Sequence, residues 1–373
     1  MPNRPQNRLQ QLHDAGQSIW LDYIDRTMLQ NGELERRIRE DALTGMTSNP
    51  TIFEKALAEG SAYDEQLASL AAEGNGDVAA MFEAIETDDV RAACDIFRPV
   101  YAGTHGEDGY VSIEVSPQLA HDADGTVVEA LRLWHIVDRP NVMVKVPGTA
   151  AGAVAIRRLI AAGVNVNVTL LFSLDAYARV IDAYQGGLGD RLAAGAPIAA
   201  VASVASFFVS RVDSEIDKQL DALGGAAAHL KGRAAIANAK IAYALFRQRF
   251  AGPAWNGLAR QGGRVQRPLW ASTSTKNPRY RDVMYVEELI GPDTVNTLPP
   301  ATLEAFRDHG VATRTVDSGT DAARHSIEEL AAAGIVLSRV TDGLLTDGIA
   351  SFQKSFDTLL AGLARKTQAV AIR

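Results

Sequence analysis

Cysteine is nearly absent from this chain: Cys94 is the only one in 373 residues. No intrachain disulfide can form, and no cysteine cluster exists to bind a transition metal. Cys94 lies in Val90-Arg91-Ala92-Ala93-Cys94-Asp95-Ile96-Phe97, which reads as a helix interior, so its thiol is expected to be structural. The seven histidines are scattered, and none are paired at the spacing of a metal-binding HExxH helix. No apolar run is long enough to span a bilayer. The segment Met1-Pro2-Asn3-Arg4-Pro5-Gln6-Asn7-Arg8 lacks the apolar core of a signal peptide, so the chain reads as cytoplasmic. A formal net charge of −8 argues against a general nucleic-acid binder. There is no GxGxxG after a strand and no P-loop. Gly186-Gly187-Leu188-Gly189 follows a helix-like segment and reads as a turn. No Pro-, Ser- or Gly-rich linker separates two domains, and no internal repeat is evident.

Short strand-like runs recur between longer helical patterns. They are Ile19 to Asp22, Thr44 to Ser48, Tyr110 to Val115, Val142 to Val146, Val164 to Leu171, Ile198 to Phe208, Pro268 to Ser272 and Asp293 to Thr297. Alternation of this kind implies parallel strands joined by right-handed crossovers. About eight units in one chain predict an α/β fold, a (β/α)8 TIM barrel with additional helices. A doubly wound open sheet is the alternative. The predicted organisation is one barrel domain over residues 1–373, with helical insertions at about 54–109 and 217–266. The second insertion carries a loop around Gly252-Pro253-Ala254-Trp255-Asn256-Gly257. A final amphipathic helix, with Val340, Leu344, Leu345, Ile349, Phe352, Phe356, Leu359 and Leu360 at helical spacing, is expected to pack on the barrel wall.

The strand faces carry the chemistry. Residues i, i+2 and i+4 share a face, and in a barrel one face meets the helices while the other points to the axis. In Asn141-Val142-Met143-Val144-Lys145-Val146-Pro147-Gly148-Thr149 the valines point outward, and Met143 and Lys145 inward. An ammonium buried without a partner tends to lose its proton, and the neutral amine is a nucleophile toward carbonyls. Alternatively, Lys145 snorkels from a strand end or pairs with a carboxylate. Along Asn165-Val166-Asn167-Val168-Thr169-Leu170-Leu171, Val166, Val168 and Leu170 form an outer face, leaving Asn165, Asn167 and Thr169 on a wholly polar inner one. Barrel cores are normally filled by branched apolar residues, so such a face requires partners or a ligand. Glu114 opposes the apolar face of its strand, and Asp22 shares a face with Trp20.

Two later segments suit an anion. Ser206-Phe207-Phe208-Val209-Ser210-Arg211 places Arg211 near a strand end, and Trp270-Ala271-Ser272-Thr273-Ser274-Thr275-Lys276-Asn277-Pro278 ends another strand with hydroxyls and a lysine. Barrels often bind phosphate with their later loops. The competing reading of Arg211 is an ion pair with nearby Asp213 or Glu215. Asp25 and Arg26 read as a surface pair.

From Ser18 to roughly His309 the chain resembles the transaldolase family of class I aldolases, in its long bacterial form. The resemblance is carried, in order, by Thr47-Ser48-Asn49-Pro50-Thr51-Ile52-Phe53, by Val144-Lys145-Val146-Pro147-Gly148-Thr149 and by Asn165-Val166-Asn167-Val168-Thr169-Leu170-Leu171-Phe172-Ser173. It implies a barrel enzyme with no metal or organic cofactor, acting on small sugar phosphates in the non-oxidative pentose phosphate pathway. By that similarity Lys145 forms a Schiff base with the ketose donor. Glu114 and Thr169 hold a water for proton transfer, and Asp22 is the acid/base at the hydroxyl of the bond being cleaved. Asn49, Asn167 and Ser206 bind the dihydroxyacetone unit; Arg211, Ser274 and Lys276 bind the phosphate. The implied reaction moves a dihydroxyacetone unit from sedoheptulose 7-phosphate to glyceraldehyde 3-phosphate, giving erythrose 4-phosphate and fructose 6-phosphate. Lys276 departs from the family, where the last phosphate ligand is often arginine; an ammonium cannot form the bidentate fork.

Three alternatives stay open at this level: a fructose 6-phosphate aldolase-like enzyme, a non-catalytic sugar-phosphate-binding barrel, and a barrel whose lysine holds pyridoxal phosphate. Neither nucleic acid nor membrane is expected as a partner, and a homo-oligomer stays open.

Overall fold

The eight expected strand segments each hold a strand, and the strands close on themselves. The computed structural model describes residues 7–58, 60–72 and 77–371. The strands are β1 (Gln17–Asp22), β2 (Leu43–Thr47), β3 (Tyr110–Glu114), β4 (Val142–Pro147), β5 (Val166–Leu171), β6 (Ser203–Phe208), β7 (Arg267–Ala271) and β8 (Thr294–Leu298). They pair in parallel in sequence order, and β8 returns to β1, giving a closed eight-stranded TIM barrel with surrounding helices. Val142, Val144 and Val146 are fully buried, as expected for strands covered by helices on their outer side. Helix starts after the strands are fixed by side-chain caps: Thr149 Oγ1 accepts from Gly152 N at 2.9 Å and Ser173 Oγ from Ala176 N at 3.1 Å.

Trp20 lies inside the barrel near its N-terminal end, where its indole donates to Asp108 Oδ1 at 2.7 Å. The neighbouring strand has room for that ring because residue 45 is glycine: a Cβ there would stand 2.5 Å from the indole. With this end filled, the polar inner residues collect toward the strands' C-terminal ends.

Three local readings are corrected. Gly186 to Gly189 form no turn; they lie inside the helix Leu174–Ala193. There Gly187 lets the preceding helix Ala150–Ala162 approach, since a Cβ would meet Arg157 O at 2.6 Å. Gly252 to Gly257 are not a loop but mostly the helix Pro253–Arg260, with Pro253 in the first turn, where its missing N–H is no loss, and Trp255 buried against Phe250. Finally, Leu170 does not continue the outer face of β5. Its φ is +59°, the register slips between Val168 and Leu171, and its side chain meets the final helix at Gly348.

Between β2 and β3 stand the helices Pro50–Ala58, Asp64–Ala72 and Val78–Gly103; between β6 and β7 stand Ser210–Leu223, Ala234–Arg249 and Pro253–Arg260. The final helix, Leu337–Ala371, packs against Pro50–Ala58, Asp64–Ala72 and Ser210–Leu223 and reaches β5. It therefore runs past the C-terminal mouth of the barrel. Val340, Phe352, Leu359 and Leu363 are buried along it. No described helix is long and apolar enough to cross a membrane.

Candidate active site

Strand register brings the charged core of the site together. Glu114 pairs with Lys145 across β3 and β4, and Lys145 with Asn167 across β4 and β5. Paired residues of parallel strands share a face, so three adjacent inner positions carry a carboxylate, an amine and an amide. Lys145 Nζ lies 3.0 Å from Glu114 Oε2 and donates to Ser48 O at 2.9 Å. Lys145 is only 5% exposed. The lysine thus faces inward as expected, and it also has the carboxylate partner that the alternative reading supposed. Burial raises the Glu114 pKa, while the adjacent Lys145 charge and hydrogen bond pull it back down.

Asn167 is held at both ends: its Nδ2 donates to Ser112 Oγ at 3.0 Å, and its Oδ1 accepts from Ser206 Oγ at 2.7 Å. Thr169 Oγ1, on the same face, is buried with no hydrogen-bond partner. An orphaned hydroxyl in this position calls for a ligand or a water. Asn165 differs from its two neighbours. Its Nδ2 donates to Pro140 O and Val142 O, and its Oδ1 accepts from Ala202 N, so its polar atoms tie adjacent strands together.

Asp22 closes the opposite side of the mouth. Thr47 Oγ1 donates to its Oδ1 at 2.8 Å, and Thr47 in turn meets Thr297 Oγ1 at 2.6 Å. Burial raises the Asp22 pKa; the charges of Lys145, Arg211 and Lys276 and the Thr47 hydrogen bond oppose that rise. Asp22 therefore feels both the amine and the cations beyond it. Asn49 caps the helix Pro50–Ala58 through Oδ1, which accepts from Ile52 N at 3.1 Å.

The cations form a second group. Arg211 begins the helix Ser210–Leu223, its guanidinium 5.1 Å from the centre of the Phe208 ring. It forms no ion pair among the described residues. Asp213 is taken by Tyr285 and Ala235, and Glu215 by Gln219 and Lys218, so the ion-pair reading of Arg211 is not realised. Lys276 donates to Ser274 Oγ at 2.7 Å. Partial burial and the Arg211 charge lower the Lys276 pKa, and Lys55 adds to that repulsion. Three cations converging without carboxylate partners of their own form a receptor for an anion.

Asp25 does not pair with Arg26. It caps the helix Arg26–Gln30 by accepting from Met28 N, while Arg26 binds Asp89. Cys94 is buried, and burial pushes its thiol pKa up, consistent with a structural role.

Several residues of the site were not identified from sequence. Thr47 and Thr297 sit in strand ends where alternation assigns no clear inner face. Ser112 is two positions from Glu114 and could have been found by the same alternation. The Phe352 ring centre lies 5.9 Å from Lys145 Nζ, and no local pattern places a helix 200 residues downstream over that lysine.

Residues 19–363 match the transaldolase/fructose-6-phosphate aldolase family. A protein of Saccharopolyspora erythraea named transaldolase is 50% identical over 355 residues, covering 95% of this chain and 96% of its own. One from Thermobifida fusca is 48% identical over 363 residues, covering 97% and 98%. One from Mycobacterium leprae is 46% identical over 375 residues, covering both chains fully. With this match over nearly its whole length, and with a closed barrel beneath it, the chain belongs to the transaldolase/fructose-6-phosphate aldolase family.

Proposed function

We propose that this chain is a transaldolase that moves a dihydroxyacetone unit between sugar phosphates through a Schiff base on Lys145. The observation that carries the reading is the buried Lys145–Glu114 pair, 3.0 Å apart, with Asp22 and the Arg211–Lys276 cations coupled to it across the mouth. The donor is read as sedoheptulose 7-phosphate or fructose 6-phosphate, and the acceptors as glyceraldehyde 3-phosphate or erythrose 4-phosphate. The chain is read as one barrel domain with helical insertions, acting in the cytoplasm.

The Lys145 amine adds to the ketose carbonyl, and loss of water gives the iminium. Glu114 is the proton carrier for that step, with Thr169 Oγ1 holding the water beside it. Asp22 takes the proton of the C4 hydroxyl as the C3–C4 bond breaks. The bonding electrons flow into the iminium and leave an enamine on Lys145 while the aldose departs. The acceptor aldehyde is attacked by the same carbon, and Asp22 returns the proton to the new hydroxyl. Asn167, Ser206 and Asn49 orient the three-carbon unit, and Arg211, Ser274 and Lys276 hold the phosphate. A raised carboxyl pKa at Asp22 suits this exchange, since the group must carry the proton between the two half-reactions.

The second reading is an aldolase of the same family that releases the three-carbon unit instead of transferring it. The two are separated by incubating the protein with fructose 6-phosphate alone and then with erythrose 4-phosphate. Transfer is expected only with the acceptor, giving sedoheptulose 7-phosphate. Steady release of free dihydroxyacetone without acceptor would favour the aldolase.

A further inference from the structure

Glu114 faces two spaces. On one side it meets Lys145; on the other it lines a lateral cleft of about 480 Å³ bounded by β3, the helices Val78–Gly103 and Ala123–Val137, and the final helix. Glu86, from the middle of the helix Val78–Gly103, lines the same cleft. It is only 7% exposed and accepts no hydrogen bond from any described residue. A buried carboxyl without a partner is expensive if charged and is retained as the acid. Further out, Glu129 Oε1 accepts from Ser116 N at 3.0 Å, and Glu83 is paired with Arg132. The carboxyls thus run from the amine outward: Glu114, then Glu86, then Glu83 and Glu129.

We propose that this cleft is a proton and water route to Glu114 that bypasses the sugar-binding mouth, with Glu86 as its buried proton carrier. The inference rests on the Schiff-base reading above. Imine formation converts a carbinolamine into an iminium and one water, and the departing hydroxyl takes a proton from Glu114. Glu114 is left as carboxylate and must be reprotonated. At that moment the sugar occupies the mouth, and Phe352 covers the amine from the final helix. Glu86 supplies the proton through water in the cleft and takes another from solvent. The released water leaves on the same side, away from the enamine, which must wait for an aldehyde.

The groups facing Glu86 support this direction. Burial raises its pKa well above the carboxylate range, and Glu114, Glu83 and Glu129 raise it further, with Lys145 the opposing charge. Glu86 therefore holds its proton where an exposed glutamate would not. Glu86 acts on Glu114, not on the sugar, so it is a positioning and relay group, not one of the reacting residues.

The test is rapid-quench borohydride trapping of the Lys145 adduct with fructose 6-phosphate, followed across pH, in wild type and Glu86→Gln. The substitution removes the exchangeable acid at nearly constant shape. Adduct formation is expected to slow by about tenfold or more, with unchanged final yield, and the alkaline fall of the wild-type rate is expected to vanish. In Glu86→Ala the rate is expected to recover as acetate is added, a response that a packing defect would not give. An unchanged rate and pH profile in Glu86→Gln, or no acetate response in a slowed Glu86→Ala, would overturn the relay while leaving the Schiff base intact. No adduct in wild type would overturn the underlying reading, and the relay with it.

Discussion

Glu114 and Lys145 stand opposite each other in register on adjacent strands, with their charged atoms 3.0 Å apart and both side chains buried. The pair reconciles two demands on the lysine. Burial alone would disfavour the ammonium, and the carboxylate offsets that penalty while remaining close enough to accept or return a proton. Replacing Glu114 by Gln leaves Lys145 with only the Ser48 carbonyl as a partner. Imine formation should slow about 100-fold with little change in the KM for fructose 6-phosphate. Stopped-quench trapping at saturating donor measures the first and steady-state kinetics the second; a raised KM with unchanged trapping would place Glu114 in binding instead.

Asp22 is coupled to both the amine and the phosphate cations, which suits a group acting between them. In Asp22→Asn the imine should still form, but the C3–C4 bond should stay intact. Peptide mass spectrometry after borohydride should then find the whole hexose phosphate on Lys145 in place of the three-carbon fragment. A three-carbon adduct at the wild-type rate would remove Asp22 from the cleavage step.

Lys276 donates to Ser274 and lies in the field of Arg211. Lys276→Ala should raise the KM for phosphorylated donors by about tenfold or more, the usual range for losing one charged hydrogen bond, and leave kcat nearly unchanged. Lys276→Arg should bind at least as tightly as wild type, because the guanidinium offers a fork to the phosphate oxygens. If non-phosphorylated fructose were affected equally, the phosphate assignment would fail.

Asp213 is buried, accepts from Ala235 N and Tyr285 Oη, and has its pKa raised to about 6, mainly by burial. Because the folded value exceeds the unfolded one of about 4, the folded state binds the proton more tightly. Its contribution is full below about pH 4 and is lost as pH rises to about 6. Across that window Asp213→Asn should flatten the fall of Tm seen in wild type. The difference should approach at most about 3 kcal/mol by neutral pH. Identical pH slopes for the two proteins would contradict the assignment.

Much of the barrel was legible because its strands are short β-branched runs whose alternation survives in sequence. Lys145, Glu114, Asn167 and Thr169 could be assigned to the inner face by counting in twos. The count failed at Leu170, where a positive φ breaks the alternation. It misled at Asn165, whose polar atoms serve the neighbouring backbone. The glycines at 186–189 and 252–257 suggested turns, but tight helix packing and a Pro-started helix account for them. Phe352 and Glu86 were not legible at all. Each sits on a helix whose own periodicity reports only that one face is buried, not that the face looks toward a lysine on β4.

The central claim is tested most directly by borohydride trapping with fructose 6-phosphate and peptide mass spectrometry. The expected result is a reduced three-carbon adduct on Lys145 that disappears in Lys145→Ala. Folded protein that binds the sugar phosphate yet carries no adduct on Lys145 would contradict the Schiff-base mechanism.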